Sequence, residues 1–595
     1  MVVILLGTEQ ENQPAETDYF AGERCTQPKG AQQAKTETTI MQNDRLRTGA
    51  QVLVEALAIQ GVDLIFCVPG ESYLAVLDVL YDRQKTIRLV VCRHEAAAAN
   101  MAEAHGKLTE RPGICFVTRG PGATHASTGL HTAFQDSTPM ILFIGQVKRS
   151  HRHREAFQEL DYTRTFGFGL SKWTAQIEDP RRIPELVGRA FHVALSGRAG
   201  PVVLALPEDI LLEKCAVEDV GPRELAQPAP EPQNMRALGK LLARARRPLL
   251  LLGGSGWTQD ARRDVREFAE DFQLPTAASF RRQDLFDNRH DLYVGNLGFG
   301  VNPALAQRVR DSDLLLAVGT RLGEAATGGY TLVDVPQPQQ ILVHAHPGAE
   351  ELGAVYRAAL PIHSAMPAFA AALRQLQPPG KVCWADWTRS ARGEYLAHLR
   401  PPANSARLDL GQIVAGLNDR LPRDTIICNG AGNYTGWIHR FYQYPSQRTQ
   451  LAPTSGAMGY GVPAAIAAKL IHPHRAVIAF AGDGCFLMSC QELATAVRYQ
   501  LAIIFLVINN GSFGTIRMHQ EQRYPDRVYG SNLTNPDFVA LARAFGLNAE
   551  KAERTEEFWS IFERAQQTAG PVLIELVTDP EYITPETTVS ARVYE

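Results

Sequence analysis

The sequence predicts an α/β protein with three doubly wound parallel-sheet domains. Short runs of Val, Ile and Leu alternate with amphipathic stretches along most of the chain, as strands and crossover helices do in parallel sheets. Two linkers interrupt this alternation, a proline-rich one at 222–232 and a second at 378–406 that includes a helical stretch. A length of 595 residues also fits three domains of ordinary size. We therefore expect domains at 44–215, 233–377 and 407–590.

The composition is that of a soluble globular protein, with 45% hydrophobic and 21% charged residues. A formal net charge of −3 argues against binding to nucleic acid or to an anionic membrane through bulk charge. The longest apolar runs, such as 501–508, are too short to cross a bilayer. Nine cysteines without a C-x-x-C pair indicate a reducing compartment, with a cytoplasmic location as the default. The expected partners are small molecules.

Residues 1–43 differ from the rest of the chain. They are rich in Gln, Glu, Thr and Lys, and they show little periodicity after an apolar start at 1–6. That start lacks a basic flank and a cleavage-site pattern, so it makes a poor signal peptide. Disorder is the better interpretation. Met41 shortly precedes the first patterned segment and is a candidate start of translation.

The first domain has a clear alternation of helices and strands. Apolar residues recur at helical spacing in some segments and form short continuous runs in others, and Pro69-Gly70 supplies a turn. The predicted helices are 51–60, 73–83 and 96–108, and the predicted strands are 64–68, 88–92 and 113–117.

The second domain opens with an apolar strand that runs into a glycine turn, Gly253 to Gly256. This turn is typical of nucleotide-binding sites. A strand-to-helix connection, however, requires glycines for backbone reasons as often as for a phosphate. Both interpretations stay open from the residues alone.

The third domain holds the most informative pattern, in which Gly482-Asp483-Gly484 closes one apolar run and Asn509-Asn510 closes the next. In a βαβ unit, Asp483 and the amide oxygen of Asn510 project from the carboxyl ends of neighbouring parallel strands, where open α/β sheets bind ligands. Such hard oxygen atoms suit Mg²⁺ or Ca²⁺, and the glycines let a diphosphate approach the backbone. The predicted elements are strands at 476–481 and 503–508, a turn at 482–484 and a helix at 491–499.

In the first domain, Glu95 follows a predicted strand and precedes four alanines. A carboxylate there is favourable near a helix N-terminus for structural reasons, and a catalytic role is the alternative. Further glycine turns follow predicted strands at 120–124, 429–434 and 455–463. Together with 482–484 they make four turns in two α/β domains, which suggests one ligand clamped between domains.

In their order, these segments resemble the thiamine diphosphate (ThDP) enzymes of the acetolactate synthase, pyruvate oxidase and 2-oxoacid decarboxylase superfamily. The chain looks most like proteins similar to the acetolactate synthase large subunit. The segments that carry the resemblance are Arg93-His94-Glu95, GPGAT at 120–124, AFQE at 156–159, GAMGYGVPAA at 456–465, and Gly482-Asp483-Gly484 followed by Asn509-Asn510. The resemblance covers 44 to about 580 and implies a pyrimidine-binding, a central Rossmann-like and a diphosphate-binding domain, in that order.

The resemblance implies that Glu95 faces the pyrimidine N1′ of the coenzyme, where its carboxyl group assists loss of the thiazolium C2 proton. Met458 matches the apolar residue that props the coenzyme into a bent shape, although a methionine in a turn is usually core filler. Asp483, Asn510 and the backbone oxygen of Ser512 match the family's Mg²⁺ ligands. The other cofactor-binding residues carried over are Asn433, Tyr434, Gly456, Gly482, Gly484 and Gly514, with Asn433-Tyr434 replacing the more usual Gln-His.

The substrate side departs from the family pattern. His519 stands where acetolactate synthases usually carry a tryptophan that selects the acceptor, so the choice of acceptor is open. Phe157 and Gln158 are retained. Arg321 matches an arginine suited to a substrate carboxylate, with a solvated loop charge as the alternative. We expect Gln158 and His519 to join Glu95 and Met458 in catalysis.

By resemblance, the reaction is ThDP- and Mg²⁺-dependent decarboxylation of a pyruvate-like 2-oxo acid, with carboligation of the resulting enamine. A non-ligating 2-oxoacid decarboxylase or another ThDP lyase is the alternative. A non-catalytic cofactor-binding relative is a third hypothesis, against which the intact Glu95, Asp483 and Asn510 speak. The resemblance also implies an active site between subunits, and therefore a homodimer or homotetramer.

FAD stays open from the sequence. Acetolactate synthases hold FAD in the middle domain, and the glycine turn at 253–256 is compatible with it. His344-Ala345-His346, however, replaces an acidic pair typical of the adenine side, and this tips the balance slightly against FAD.

Overall fold

The computed structural model describes residues 46–167 and 169–592. Within them lie three sheets of six parallel strands each, as well as a two-stranded antiparallel pair of Arg47–Thr48 with Lys214–Cys215. The predicted fold class of three doubly wound parallel-sheet domains is confirmed. The predicted disordered extension, 1–43, lies outside the described residues.

The first sheet reverses its strand order between its second and third positions, as doubly wound sheets do. In spatial order its strands are Arg88–Val91, Leu64–Cys67, Gly113–Val117, Met140–Gln146, Pro201–Pro207 and Trp173–Gln176. The helices of this domain are Gly49–Ile59, Leu74–Asp82, Glu95–Thr109, Gly120–Asp136, Tyr162–Thr165, Ile183–Leu195 and Glu208–Leu212.

The middle sheet has the order usual for dinucleotide-binding folds, with the first strand of the domain next to the fourth. Its strands in spatial order are Tyr293–Asn296, Thr276–Ala278, Pro248–Leu252, Leu314–Val318, Ile341–His346 and Leu360–His363. The helices are Pro232–Arg244, Gln259–Phe272, Pro303–Asp311 and Met366–Leu373, and Ala385–His398 lies in the second predicted linker.

The third sheet repeats the strand order of the first sheet, counted from the start of each domain. In spatial order its strands are Gln450–Leu451, Ile426–Asn429, Val477–Gly482, Ile504–Asn509, Val572–Val577 and Asn548–Ala552. The helices are Leu410–Arg420, Thr435–Phe441, Gly461–Ile471, Asp483–Leu487, Leu493–Arg498, Gly514–Arg523, Phe538–Ala544, Thr555–Gln567 and Val589–Arg592.

Most predicted elements lie within one or two residues of the observed ones, but two local predictions near 482–499 were wrong. The predicted turn at 482–484 is the start of a helix, because Gly482 ends its strand and caps Asp483–Leu487. The predicted helix 491–499 is shorter and follows a 3₁₀ turn, Cys490–Glu492, so only Leu493–Arg498 is α-helical.

The first and third domains share one hydrophobic core. It contains the apolar side chains of helix Glu95–Thr109 together with those of helix Gly461–Ile471. Both helices are rich in alanine, which lets backbones approach closely. On the other flank of Glu95–Thr109, a Cβ added at Gly129 would lie 2.4 Å from the Cβ of Ala99. Small side chains are therefore a requirement of this helix packing.

A buried polar cluster crosses the same boundary between domains. The ammonium group of Lys107 binds the carboxylate of Asp136 and donates to the carbonyl oxygen of Ala452 at 3.1 Å. Glu103 lies 3.4 Å from the same ammonium group and also accepts from the hydroxyl of Tyr460. Burial raises the pKa of Glu103. One cation thus holds together two carboxylates and two domains.

Two further observations concern the described residues. Their eight cysteines are all unpaired. None of their helices combines the length and the apolar character needed to cross a membrane.

Replacement of Lys107 by alanine should destabilise the junction of the first and third domains. It leaves Asp136 and Glu103 buried without their cation, and breaking a buried pair in this way costs about 3 to 5 kcal/mol. We expect the first unfolding transition in urea, followed by circular dichroism, to move to lower concentration. Lys148→Ala, at an exposed position of the first domain, is the matched control and should leave the transition in place. Equal transitions for the two variants would contradict this account.

Candidate functional site

The candidate site lies at the carboxyl edge of the third sheet. Strands Val477–Gly482 and Ile504–Asn509 are parallel neighbours, with Gly482 opposite Ile508. Asp483 and Asn510, which directly follow these strands, therefore emerge side by side, as the sequence predicts. Between them opens a cavity of about 250 Å³.

The cavity brings together every residue of the third domain that the sequence assigned to metal or cofactor binding. Its lining includes Asn433, Tyr434, Gly456, Met458, Gly482, Asp483, Gly484, Asn510, Ser512 and Gly514. Ala431, Gly432, Cys485, Ile508, Phe513, Thr515 and Ile516 complete the lining.

Asp483 is buried and richly hydrogen-bonded. Its Oδ1 accepts from the N–H of Gly484, and its Oδ2 accepts from the N–H of Gly511 and from the side chain of Asn535, all at 2.8 Å. Burial raises the pKa of Asp483, while these hydrogen bonds favour the ionised form. The donors fix the carboxylate's orientation at the cavity wall.

Asn535 is a site residue that sequence reasoning missed. Its amide nitrogen donates to Asp483 and, at 2.9 Å, to Oδ1 of Asn509. Asn509 also donates to Glu575 at 2.8 Å, so the first residue of the Asn509-Asn510 pair has a structural role. Asn510 lines the cavity, and its Oδ1 accepts from the N–H of Ser512 at 3.1 Å.

Charge decides what this cavity can hold. Of the described residues that line it, only Asp483 carries a charged side chain. An anionic group such as a diphosphate would therefore meet a negative wall, unless a cation entered with it. The oxygen donors of Asp483, Asn510 and Ser512 are of the kind that Mg²⁺ and Ca²⁺ prefer.

The glycines of the cavity keep space that a side chain would fill. A Cβ at Gly484 would lie 2.5 Å from the ring of Phe513, and one at Gly482 would lie 3.1 Å from the ring of Tyr434. Gly456 has a φ of +70°, a backbone conformation that glycine adopts without strain. Met458, two residues later, is half-buried and packs against the apolar core of the domain while it lines the cavity.

Asn433 and Tyr434 line the cavity with polar atoms that already have partners. The hydroxyl of Tyr434 accepts from the N–H of Gly430 at 3.0 Å. Asn433 donates to the carbonyl oxygen of Ile583 at 2.9 Å and accepts from the hydroxyl of Thr515 at 2.7 Å. The structure therefore gives both residues a scaffold role in addition to their place in the lining.

Glu95 begins helix Glu95–Thr109 in the first domain, and its side chain is 12% exposed. Its Oε2 lies 2.9 Å from Nδ1 of His125, and a Cβ at Gly122 would lie 3.3 Å from its Oε1. The turn before it is held from the third domain, because the buried carboxylate of Glu492 accepts from the N–H groups of Arg93 and His94 at 2.9 and 3.0 Å. Glu492 is a second residue that sequence reasoning missed.

The other predicted catalytic residues do not line the cavity within the described chain. Gln158 lies in the first domain at a φ of +63°, with its carbonyl oxygen accepting from the N–H of Gly120. The preceding Phe157 is 71% exposed. His519 is exposed on helix Gly514–Arg523, whose first residues do line the cavity. All described lining residues come from the third domain, so Glu95 is outside this cavity too.

Arg321 lies at the boundary of the first and middle domains. Its guanidinium donates to the carbonyl oxygen of Gln135 at 2.8 Å. It is thus partly buried and paired, rather than a solvated loop charge.

A larger cavity of about 510 Å³ adjoins the first and shares five lining residues with it, namely Asn433, Tyr434, Ile508, Asn510 and Gly514. It opens between the linker around 402–410 and the segment 578–588. Its described lining includes acidic residues but no Lys, Arg or His. Like the smaller cavity, it would need a bound cation to accept a carboxylate or phosphate group. The smaller cavity is the better candidate because it joins Asp483 and Ser512 to the glycine turns.

The glycine turn of the middle domain has a structural reason for its glycines. A Cβ at Gly254 would lie 1.9 Å from the carbonyl oxygen of Gly319, so the two turns touch backbone to backbone. The N–H of Gly256 donates to the carboxylate of Glu110 at 3.0 Å. His344 is buried and its Nε2 lies 2.8 Å from the carbonyl oxygen of Thr320. These contacts give the glycines of the turn a structural role.

The sheets, the metal-type oxygen donors and the glycine-lined cavity are those of a thiamine diphosphate enzyme, and comparison with known proteins agrees. Three family descriptions match in order: the thiamine pyrophosphate enzyme N-terminal TPP binding domain at 47–165, the central domain at 235–373 and the C-terminal TPP binding domain at 430–576.

Within this class, the chain is similar to acetolactate synthase large subunits. It is 32% identical to that of Mycobacterium tuberculosis over 548 residues, which cover 89% of this chain and 88% of the relative. It is 31% identical to the large subunit of Corynebacterium glutamicum (89% and 86%) and 30% identical to that of acetolactate synthase isozyme 2 of Escherichia coli (89% and 95%). The chain therefore belongs to the acetolactate synthase family of ThDP-dependent enzymes.

If Asp483 is a metal ligand, as the resemblance implies, Asn535→Ala should weaken metal binding there. The substitution removes a donor that fixes the carboxylate, and the loss of such a supporting contact typically costs about 10- to 100-fold in metal affinity. Calorimetric titration with Mg²⁺ in the presence of ThDP measures the effect. Asn548→Ala, at an exposed position of the same domain, is the control and should bind like the unchanged chain. Unchanged affinity in Asn535→Ala would contradict the assigned role.

Proposed function

We propose that this enzyme uses ThDP and Mg²⁺ to decarboxylate a pyruvate-like 2-oxo acid and joins the product to a second 2-oxo acid, as acetolactate synthases do. The observation that carries the proposal is the cavity at the carboxyl edge of the third sheet, which joins Asp483, Asn510 and Ser512 to a rim of glycines. The relatives that match over nearly the whole chain support the same reaction class.

The residues present fit both groups. Asp483, Asn510 and the backbone oxygen of Ser512 would hold Mg²⁺, which in turn would compensate the charge of the diphosphate in a cavity without a cationic side chain. When bound, ThDP supplies a carbon nucleophile and an electron sink for decarboxylation. The contacts at Gly256 and His344 give no support for FAD, so FAD is not part of this proposal.

The side chains of this chain have separate tasks in the proposal. Glu95 holds a proton at the coenzyme's pyrimidine and is shielded from water for most of its surface. Met458 gives the cavity an apolar wall that supports the coenzyme's bent shape. His519, in place of the family's usual tryptophan, and Gln158 are assigned to the substrate side.

The proposal requires two subunits for each site. The described lining of the cavity around Asp483 comes from the third domain alone, whereas Glu95 lies in the first domain and outside this cavity. We therefore assign Glu95 to the cavity of a partner chain, in a homodimer or homotetramer. Phe157, which is exposed and lies in the same domain as Glu95, is suited to such an interface.

Incubation with pyruvate should give acetolactate as the main product, with acetaldehyde in the minority. Gas chromatography or a colour assay for acetoin after acidification separates the two outcomes. If acetaldehyde dominates, the enzyme is a simple decarboxylase, which is the alternative function.

Glu95→Gln should lose turnover by at least about 100-fold and still bind ThDP, because a neutral amide cannot exchange the proton. This variant also separates catalysis from mere cofactor binding.

Mixing two inactive variants tests whether the site is shared between subunits. Glu95→Gln and Asp483→Ala should each be inactive alone. After unfolding and refolding as an equal mixture, half of the dimers are mixed, and each mixed dimer has one intact site of two, so about a quarter of the activity returns. If each site lies within one chain, no activity returns. Either variant refolded alone is the control.

A further inference from the structure

His125 contacts the carboxyl group of Glu95 directly. Its Nδ1 lies 2.9 Å from Oε2 of Glu95. His125 stands near the start of helix Gly120–Asp136, and Glu95 is the first residue of helix Glu95–Thr109. Because these two helices pack closely, the pair is positioned by rigid elements rather than by a loop.

The imidazole ring of His125 has a fixed neighbour on one face. The ring of His94 is stacked on it, with centroids 4.6 Å apart and planes inclined by 27°. Nδ1 of His94 accepts from the N–H of Ala96 at 3.1 Å, which holds that ring in place. Burial and the nearby His125 lower the pKa of His94, which favours the neutral ring. The stack therefore orients His125 toward Glu95.

The second carboxyl oxygen of Glu95 faces a different environment. Oε1 points toward Gly122, where the absence of a side chain leaves room. Among the described residues, no hydrogen bond to Oε1 is found, whereas Oε2 has His125. One oxygen of the carboxyl group is thus held by the protein, and the other is available to a ligand.

The geometry points to His125 as a positioning residue for Glu95. Its Nδ1–H donates to Oε2, fixes the rotation of the carboxyl group and leaves Oε1 to meet the coenzyme. The inference rests on the proposed function, because the task of Glu95 comes from there. Without the donor, the carboxyl group rotates freely and is aligned for proton transfer during a smaller fraction of the time.

Two substitutions at position 125 separate the effect of the hydrogen-bond donor from the effect of side-chain size. His125→Ala removes the donor, whereas His125→Asn keeps one, because its amide nitrogen is attached at the same atom of the side chain as Nδ1. With ThDP and Mg²⁺ bound, the rate of hydrogen–deuterium exchange at C2, followed by rapid quenching and NMR, should fall about tenfold in His125→Ala. His125→Asn should remain within about twofold of the unchanged chain, and coenzyme affinity should stay the same in both.

His131→Ala is the matched control for this experiment. His131 is exposed and lies six residues further along the same helix, so its loss should leave the exchange rate unchanged. An unchanged rate in His125→Ala would overturn the inference. So would a His125→Asn variant as slow as His125→Ala, because the donor would then not be what matters.

A second measurement needs no coenzyme. In the coenzyme-free protein, treatment with diethyl pyrocarbonate followed by peptide mass spectrometry gives the modification rate of each histidine. Glu95→Ala should change the rate at His125 several-fold relative to His131 in the same digest, because the carboxylate that polarises the ring through Nδ1 is gone. An unchanged ratio would overturn the inference. Failure of the unchanged chain to bind ThDP would instead refute the proposed function, and this ratio would still test the contact.

Discussion

The packing of the first domain against the third within each chain is the constraint on which the rest of the structure depends, and the buried ammonium group of Lys107 lies at this junction. It lies among Asp136, Glu103 and the carbonyl oxygen of Ala452. Because carboxylates removed from water are costly without a cation, Lys107 stabilises Asp136 and Glu103 in the first domain, and its contact with Ala452 links this cluster to the third domain. The helix that begins at Glu95 is therefore joined to the third domain of its own chain, so each chain offers both domains to a partner as one unit. Glu492 adds to this by holding the turn before Glu95.

The two ends of the proposed site bind their ligand through different interactions. In the third domain, a negative cavity with oxygen donors suits a divalent cation together with an anionic group. In the first domain, a mostly buried carboxyl group with one paired oxygen suits a proton held in a defined direction. The third domain supplies the oxygen donors for a cation, and the first domain supplies the carboxyl group that holds the proton. This division explains why two domains with the same strand order carry such different residues at their edges.

Much of the fold and part of the site were predictable from the sequence. Strands buried on both faces are continuous apolar runs, so strands such as Gly113–Val117 are recognisable locally, and Asp483 and Asn510 follow two of them. The contacts of Asn535 and Glu492 were not predictable, because their partners lie 52 and 399 positions away and leave no periodic signal. The short helix after Gly482 was missed because five residues are too few for a helical pattern.

The shared core of the first and third domains has a consequence for how the protein is made. Lys107 and its acceptor at Ala452 are 345 positions apart in the chain. At a synthesis rate of about 5 to 20 residues per second, that distance corresponds to roughly 20 to 70 seconds on the ribosome. During this interval the alanine-rich face of helix Glu95–Thr109 is not yet packed against helix Gly461–Ile471. The nascent chain thus exposes this apolar surface until the third domain has been synthesised.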